Sequence, residues 1–131
     1  MFSNQSSVYS TKLQSRCLVA HESDHGRHRF LVGSAVLRED NEIQLLDFNE
    51  DSNIINCTQV FQHPGEVWTL SCSPRDPRIL ITGASSRGPD CKAVLWRVPE
   101  GAGAMSDDIP EAPAPTAMEE LGSVSCARPA R

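Results

Sequence analysis

Two aspartates fifty positions apart, Asp40 and Asp90, each precede a large apolar residue by six places, Leu46 and Trp96. Around them RFLVGS (29–34) lies over RILITGA (78–84), and DNEIQLLD (40–47) lies over DCKAVLWR (90–97). A repeat of this length marks an array architecture, in which one unit cannot bury its own faces and must stack on a neighbour. Such arrays usually serve as surfaces for partners and seldom as catalysts. With room for only two units, the chain is expected to be an incomplete array.

Composition narrows the part of the chain that folds. Residues 1–13 are polar and Ser-rich, and are expected to be disordered. Residues 99–117 hold four Pro and five Ala with no basic residue, which makes them an acidic linker that cannot supply a core. The fold is therefore expected within residues 14–98, a small body for a self-sufficient globule. Residues 118–131 are a candidate strand and tail.

Charge and cysteine usage exclude several functions. The 12 basic and 17 acidic residues give a net charge of −5, and no basic stripe with interleaved aromatics is present, which argues against nucleic acid. No apolar run reaches the length of a membrane span, and the amino terminus carries no secretory pattern. The five cysteines (17, 57, 72, 91 and 126) are odd in number and lack framework spacing. Reduced thiols in a cytoplasmic compartment are expected.

The apolar runs read as strands. Cys17–Ala20, Phe30–Ala35, Ile43–Phe48 and Ile54–Phe61 are separated by polar or acidic turns, and their β-branched content suits sheets. Gln62-His63-Pro64-Gly65 reads as a turn opening the next unit. Val67–Cys72 ends at Ser73-Pro74, since Pro cannot donate to a ladder. Ile79–Gly83 and Ala93–Val98 follow. The expected class is all-β, with two antiparallel four-stranded blades. Residues 14–61 form a degenerate first blade and 62–98 the second.

Segment 62–97 resembles a WD-repeat, the unit of a β-propeller. His63 takes that family's His position, with Gln62 in place of Gly. Leu70-Ser71-Cys72-Ser73-Pro74 fits its first strand, Thr82-Gly83 closes the second, and Asp90 and Trp96 hold the expected spacing. Arg97 replaces the final Asp, and the second hairpin is longer than usual. A His, an Asp, a strand hydroxyl and an indole N–H at these places can link side chains across a blade, stably only if each is satisfied. A structural hydrogen-bond network of His63, Thr82, Asp90 and Trp96 is therefore expected. The first unit keeps Asp40 and Asp47, but Leu46 replaces Trp and Val32 stands where Thr82 does. Apolar contacts alone are expected to hold it.

Across residues 14–98, and weakly at MEELGSV (118–124), the chain is similar to the WD-repeat proteins that interact with the endosome-associated recycling protein (EARP) complex. It covers roughly the amino-terminal third of such a propeller, which has about seven blades. The resemblance implies a non-catalytic adaptor for EARP- and GARP-type tethering complexes, placed in the cytoplasm at endosomes and the trans-Golgi network. Its work there is endosomal recycling and retrograde protein transport. No cofactor, metal, nucleic acid, small-molecule substrate or membrane insertion is implied. The alternative is a generic WD-repeat scaffold for another assembly.

Several side chains suggest sharper chemistry but have plainer roles. Cys17, His21, His25 and His28 could ligate Zn²⁺, but Gly26 opposes the helix that their spacing needs, and a solvated loop is the favoured reading. His63 with Asp90 could orient a nucleophile, yet Ser85 and Ser86 lie in an ordinary loop, so the structural role is preferred. Cys91 beside Lys92 is expected to be an inert turn thiol. Trp68, alternating with Leu70 and Cys72, is expected to pack between blades.

Overall fold

Short β-branched runs broken by Gly, Pro and acidic turns fold as nine strands among the described residues. The computed structural model describes residues 6–23, 26–37, 40–85, 90–99 and 114–127, the side chains of 40, 84, 85, 90, 91, 126 and 127 excepted. The strands are β1 (Ser15–Ala20), β2 (His28–Ser34), β3 (Asp40–Asn49), β4 (Ile54–Pro64), β5 (Thr69–Cys72), β6 (Ile79–Ser85), β7 (Asp90–Arg97), β8 (Pro115–Thr116) and β9 (Glu119–Ala127). They make two sheets, in the orders β1-β2-β3-β4-β8 and β5-β6-β7-β9. Neither sheet closes on itself. Among the described residues no helix is long and apolar enough to cross a membrane.

Turn chemistry explains where the strands stop. Asn49 Oδ1 accepts the backbone N–H groups of Asp51 and Ser52 between β3 and β4. Asn53 takes the left-handed conformation there, at φ 56°, which Asn tolerates better than most residues. Ser73 Oγ accepts from Arg75 and Asp76 N–H after β5, and Asp76 Oδ1 accepts from Arg78 N–H.

The fifty-residue offset reappears in the strand register. Val32 faces Gln44 as Thr82 faces Val94, and Phe30 faces Leu46 as Leu80 faces Trp96. Strand alternation then sends equivalent residues the same way. Leu31, Ile43, Leu45 and Phe61 of the first sheet join Val67, Leu70, Leu80, Trp96 and Val98 in one core between the sheets. Full burial of a side chain of this size stabilises by about 1.5–3 kcal/mol, so this shared core is what holds the sheets together.

The backbones approach closely where the sheets meet. Val67 N–H donates to the Ser34 carbonyl at 2.9 Å, and the Cys17 thiol reaches the Val67 carbonyl at 3.6 Å. A Cβ on Gly33 would lie 2.5 Å from Val67 Cγ1 and 2.7 Å from Cys17 Sγ. Only a residue without a side chain fits there.

Four features differ from the sequence-based expectation. Residues 62–98 supply only three strands of the second sheet, and β9 completes it from beyond the linker. β8 joins the first sheet in parallel, at Val60 and Phe61, so that sheet is not wholly antiparallel. Gln62-His63-Pro64 is not a turn but the end of β4, paired with Asp40–Glu42. The amino-terminal segment also contributes: Tyr9 packs with Phe30 and Ile55 on a second cluster of Val32, Leu46, Cys57 and Val60. Burial pushes the Tyr9 phenol up to about 12, and burial likewise raises the Cys57 thiol.

The outer face of the second sheet is open. Ile81 is 47% exposed where its repeat equivalent Leu31 is 1% exposed, and Val124 on β9 is 72% exposed.

Candidate functional site

His63, Thr82 and Trp96 come together beneath the sheet interface. The end of β4 carries His63 across to β6 and β7 of the other sheet, and the three are 4%, 1% and 7% exposed. His63 Nδ1 lies 2.9 Å from the Gly65 carbonyl oxygen. That oxygen can only accept, so Nδ1 carries the ring proton. His63 Nε2 then accepts the Thr82 hydroxyl at 2.8 Å, and Thr82 Oγ1 accepts the Trp96 indole N–H at 2.8 Å. The polarity of the whole chain follows from one carbonyl.

This arrangement fixes His63 as neutral. Burial lowers its pKa below the ordinary value, against an opposing pull from the Gly65 carbonyl. A second ring proton would also have to displace the Thr82 O–H from Nε2. The imidazole and indole meet edge-on, with centroids 5.7 Å apart at 65°, a favoured aromatic geometry.

Asp90 opens β7, and its side chain lies outside the described residues. Both His63 nitrogens have partners without it. A Thr–His pair could in principle resemble a nucleophile and base. Here the hydroxyl is spent between a donor and an acceptor in a packed core. The residues serve as a clasp between sheets.

In the first unit the equivalent places are apolar or ionic. Leu46 and Val32 are buried in the second cluster. Asp47 lies 3.5 Å from Arg27 and 4.0 Å from Arg29. In the second unit Arg97, standing where Asp47 does, pairs with Glu119 across β7–β9 at 3.3 Å. The backbone of Asp40 begins β3 opposite Pro64, and its side chain is outside the described residues.

The first unit nevertheless carries a buried polar cluster, contrary to the expectation of apolar contacts alone. Ser34 Oγ–H donates to Asn41 Oδ1 at 2.9 Å and accepts Glu42 N–H at 2.8 Å. Asn41 also accepts Val36 N–H at 2.8 Å and donates to the Val36 carbonyl at 3.0 Å. Asn41 and Ser34 are 2% and 5% exposed. The repeat comparison misses this clasp because Ala84 and Cys91 stand at the matching places in the second unit.

Cys17, His21 and His28 do not gather. Cys17 faces Val67, His21 Nε2–H donates to the Pro77 carbonyl at 3.0 Å, and His28 pairs with Glu50. His25 lies outside the described residues. Among the described residues no three His, Cys, Asp or Glu side chains are grouped to hold a metal. Trp68 precedes β5, donates its indole N–H to Glu66 at 2.6 Å, and lies under the Arg16 guanidinium at 3.8 Å from the ring centroid. It stacks on a cation and belongs to neither core cluster. The Cys91 side chain lies outside the described residues.

The EIPR1 beta-propeller family model matches residues 3–112. Over 115 residues the chain is 38% identical to EARP and GARP complex-interacting protein 1 of Rattus norvegicus, covering 85% of this chain and 30% of the relative. The Homo sapiens protein of that name is 34% identical over 115 residues, with the same coverage. WD repeat-containing protein DWA2 of Arabidopsis thaliana is 33% identical over 118 residues, covering 90% of this chain and 33% of the relative. The chain thus spans about a third of the length of the curated relatives it matches. With its repeat written into the strand register and most of its length matched, the chain belongs to the EIPR1 beta-propeller family.

Proposed function

We propose that the chain is a non-catalytic WD-repeat adaptor that binds EARP- and GARP-type tethering complexes. It does so in the cytoplasm, at endosomes and the trans-Golgi network, in support of endosomal recycling and retrograde protein transport. The observation that carries this reading is the likeness to relatives named for interaction with those complexes. Residues 14–61 and 62–98 are the two repeat units of the adaptor. His63, Thr82, Asp90 and Trp96 are its structural network, with Asp40, Leu46 and Asp47 at the matching places of the first unit. None of them is assigned a catalytic role, because a hydroxyl committed to two partners in a packed interior has no path to a substrate.

Affinity purification of the tagged chain from cells tests the reading. Recovery of EARP or GARP subunits is expected, and their absence with folded bait would overturn it. A second reading, a scaffold for a different assembly, is favoured by one observation. The Arabidopsis relative, named only as a WD repeat-containing protein, matches over more of the chain at comparable identity. The same purification separates the two by which subunits it recovers.

A further inference from the structure

We propose that the open face of the second sheet seats the first sheet of a second copy of this chain, which gives up its Tyr9 cap to dock there. Such stacking is independent of which complex the adaptor serves.

The chain carries the pattern for this contact within itself. In the first sheet, Leu31, Ile43, Leu45 and Phe61 share one face and meet the second sheet in the common core. The register carries those places onto the second sheet. Fifty positions on from the first three stand Ile81, Ala93 and Leu95. Val124 of β9 lies opposite Ala93 as Phe61 of β4 lies opposite Ile43. All four places are apolar in both sheets, and only the cover differs. Leu31, Ile43, Leu45 and Phe61 are buried, whereas Ile81 and Val124 are exposed and Ala93 and Leu95 only partly buried. The face that a stacked sheet seals in one unit therefore lies open in the other.

The complementary face is present as well. The second sheet turns Leu80 and Trp96 toward the Leu31 face. Their equivalents in the first sheet are Phe30 and Leu46, which gather with Val32 and Val60 on that sheet's other side. These side chains are apolar, like those around Ile81, so each face gains by covering the other.

The amino-terminal segment caps this second face. Tyr9 packs on the cluster of Val32, Leu46, Cys57 and Val60, and Asn53 Nδ2–H makes a long hydrogen bond to the Ser6 carbonyl at 3.4 Å. Residues 6–13 belong to no strand, so no ladder of backbone bonds fixes them to the sheet. The cover is also partial, since Leu18, opposite Val32 on β1, remains exposed. A segment held in this way is displaceable by a whole sheet. Because the two faces differ, stacking runs head to tail, into rings or open chains.

Sedimentation of the full chain over a wide concentration range tests the contact. Reversible assembly is expected. Ile81→Lys and Val124→Lys, at exposed places on two strands, should each weaken it by about tenfold or more, with circular dichroism unchanged. Tyr9→Ala should strengthen it by about tenfold, and adding Ile81→Lys should cancel that gain. Mixed with the unmodified chain, Ile81→Lys protein should shorten the assemblies, because it docks on one end and offers no further seat. Unmodified and Tyr9→Ala chains that both stay monomeric at every concentration would overturn the proposal. A dimer indifferent to Tyr9→Ala would place like face on like face and overturn it too. So would Tyr9→Ala assembly that persists undiminished with Ile81→Lys, since the copies would then meet elsewhere.

Discussion

Replacing Thr82 with valine removes one hydroxyl and keeps the side chain's shape. Two buried groups then lose their partner at once, because Trp96 Nε1–H donates to Thr82 Oγ1 and His63 Nε2 accepts from it, both at 2.8 Å. Each buried group left unsatisfied costs about 1–3 kcal/mol. The extra methyl of valine returns part of that, so a net loss of about 2–4 kcal/mol is expected. In urea unfolding followed by circular dichroism, with a slope of about 2 kcal/mol per molar, the midpoint falls by about 1–2 M. Thr82→Ser keeps the hydroxyl and deletes a buried methyl, for a loss of about 1 kcal/mol. The order of the two variants is what discriminates. Apolar burial alone ranks valine above serine, whereas the clasp ranks serine above valine. Thr82→Val as stable as the unmodified protein, or more stable than Thr82→Ser, would refute the reasoning.

Three further outcomes follow from the same geometry. His63 is held neutral in the fold with its pKa lowered by burial, so the unfolded chain takes up the proton first as pH falls. Its contribution is complete above the unfolded value of about 6.5 and is lost as pH drops from there through the folded value. The stability difference between the unmodified protein and His63→Gln should shrink from pH 7.5 to pH 5; a constant or growing difference contradicts this. Gly33→Ala places a methyl against Val67 and Cys17 and should cost about 1–3 kcal/mol, partly recovered by adding Val67→Ala. At Gly83 the methyl meets only the exposed Thr69 side chain, so Gly83→Ala should stay within about 1 kcal/mol. Equal losses for the two alanines would contradict the close approach at Gly33. Asn41→Ala breaks the buried Ser34–Asn41–Val36 clasp and should lower stability by about 2–4 kcal/mol in the same unfolding assay. A loss under about 0.5 kcal/mol, the usual range of surface changes, would remove that clasp from the account.

Much of the fold is legible in the sequence because its repeat is carried by residues that physics ties to fixed places. Leu31, Ile43 and Phe61 face one core while Val32 and Val60 beside them face the other, as alternation requires of strands buried on both faces. The spacing of His63, Thr82 and Trp96 puts three polar groups within reach only if the second unit stacks on the end of the first. What escapes is whatever depends on distant pairing. Glu119–Ala127 reads EELGSVSCA, a candidate strand whose weak apolar alternation does not say where it pairs, and it completes the second sheet at the edge of β7. Pro64 suggests a turn, yet it ends β4 at the sheet's margin, where its missing N–H matters least. The Ser34–Asn41 clasp has no counterpart in the second unit, so comparison of the units cannot reveal it.

The central claim is that two copies of one sheet module form a single cooperative body through a shared face. The Val67 N–H group tests it most directly, because it precedes β5 and donates across to Ser34 of the first sheet. Native-state hydrogen exchange should give the Val67 amide the same opening free energy as Leu31 and Leu80, the core positions of the two sheets. Exchange at Val67 that is far faster than at both core positions would mean that the sheets open separately, and the account would be wrong.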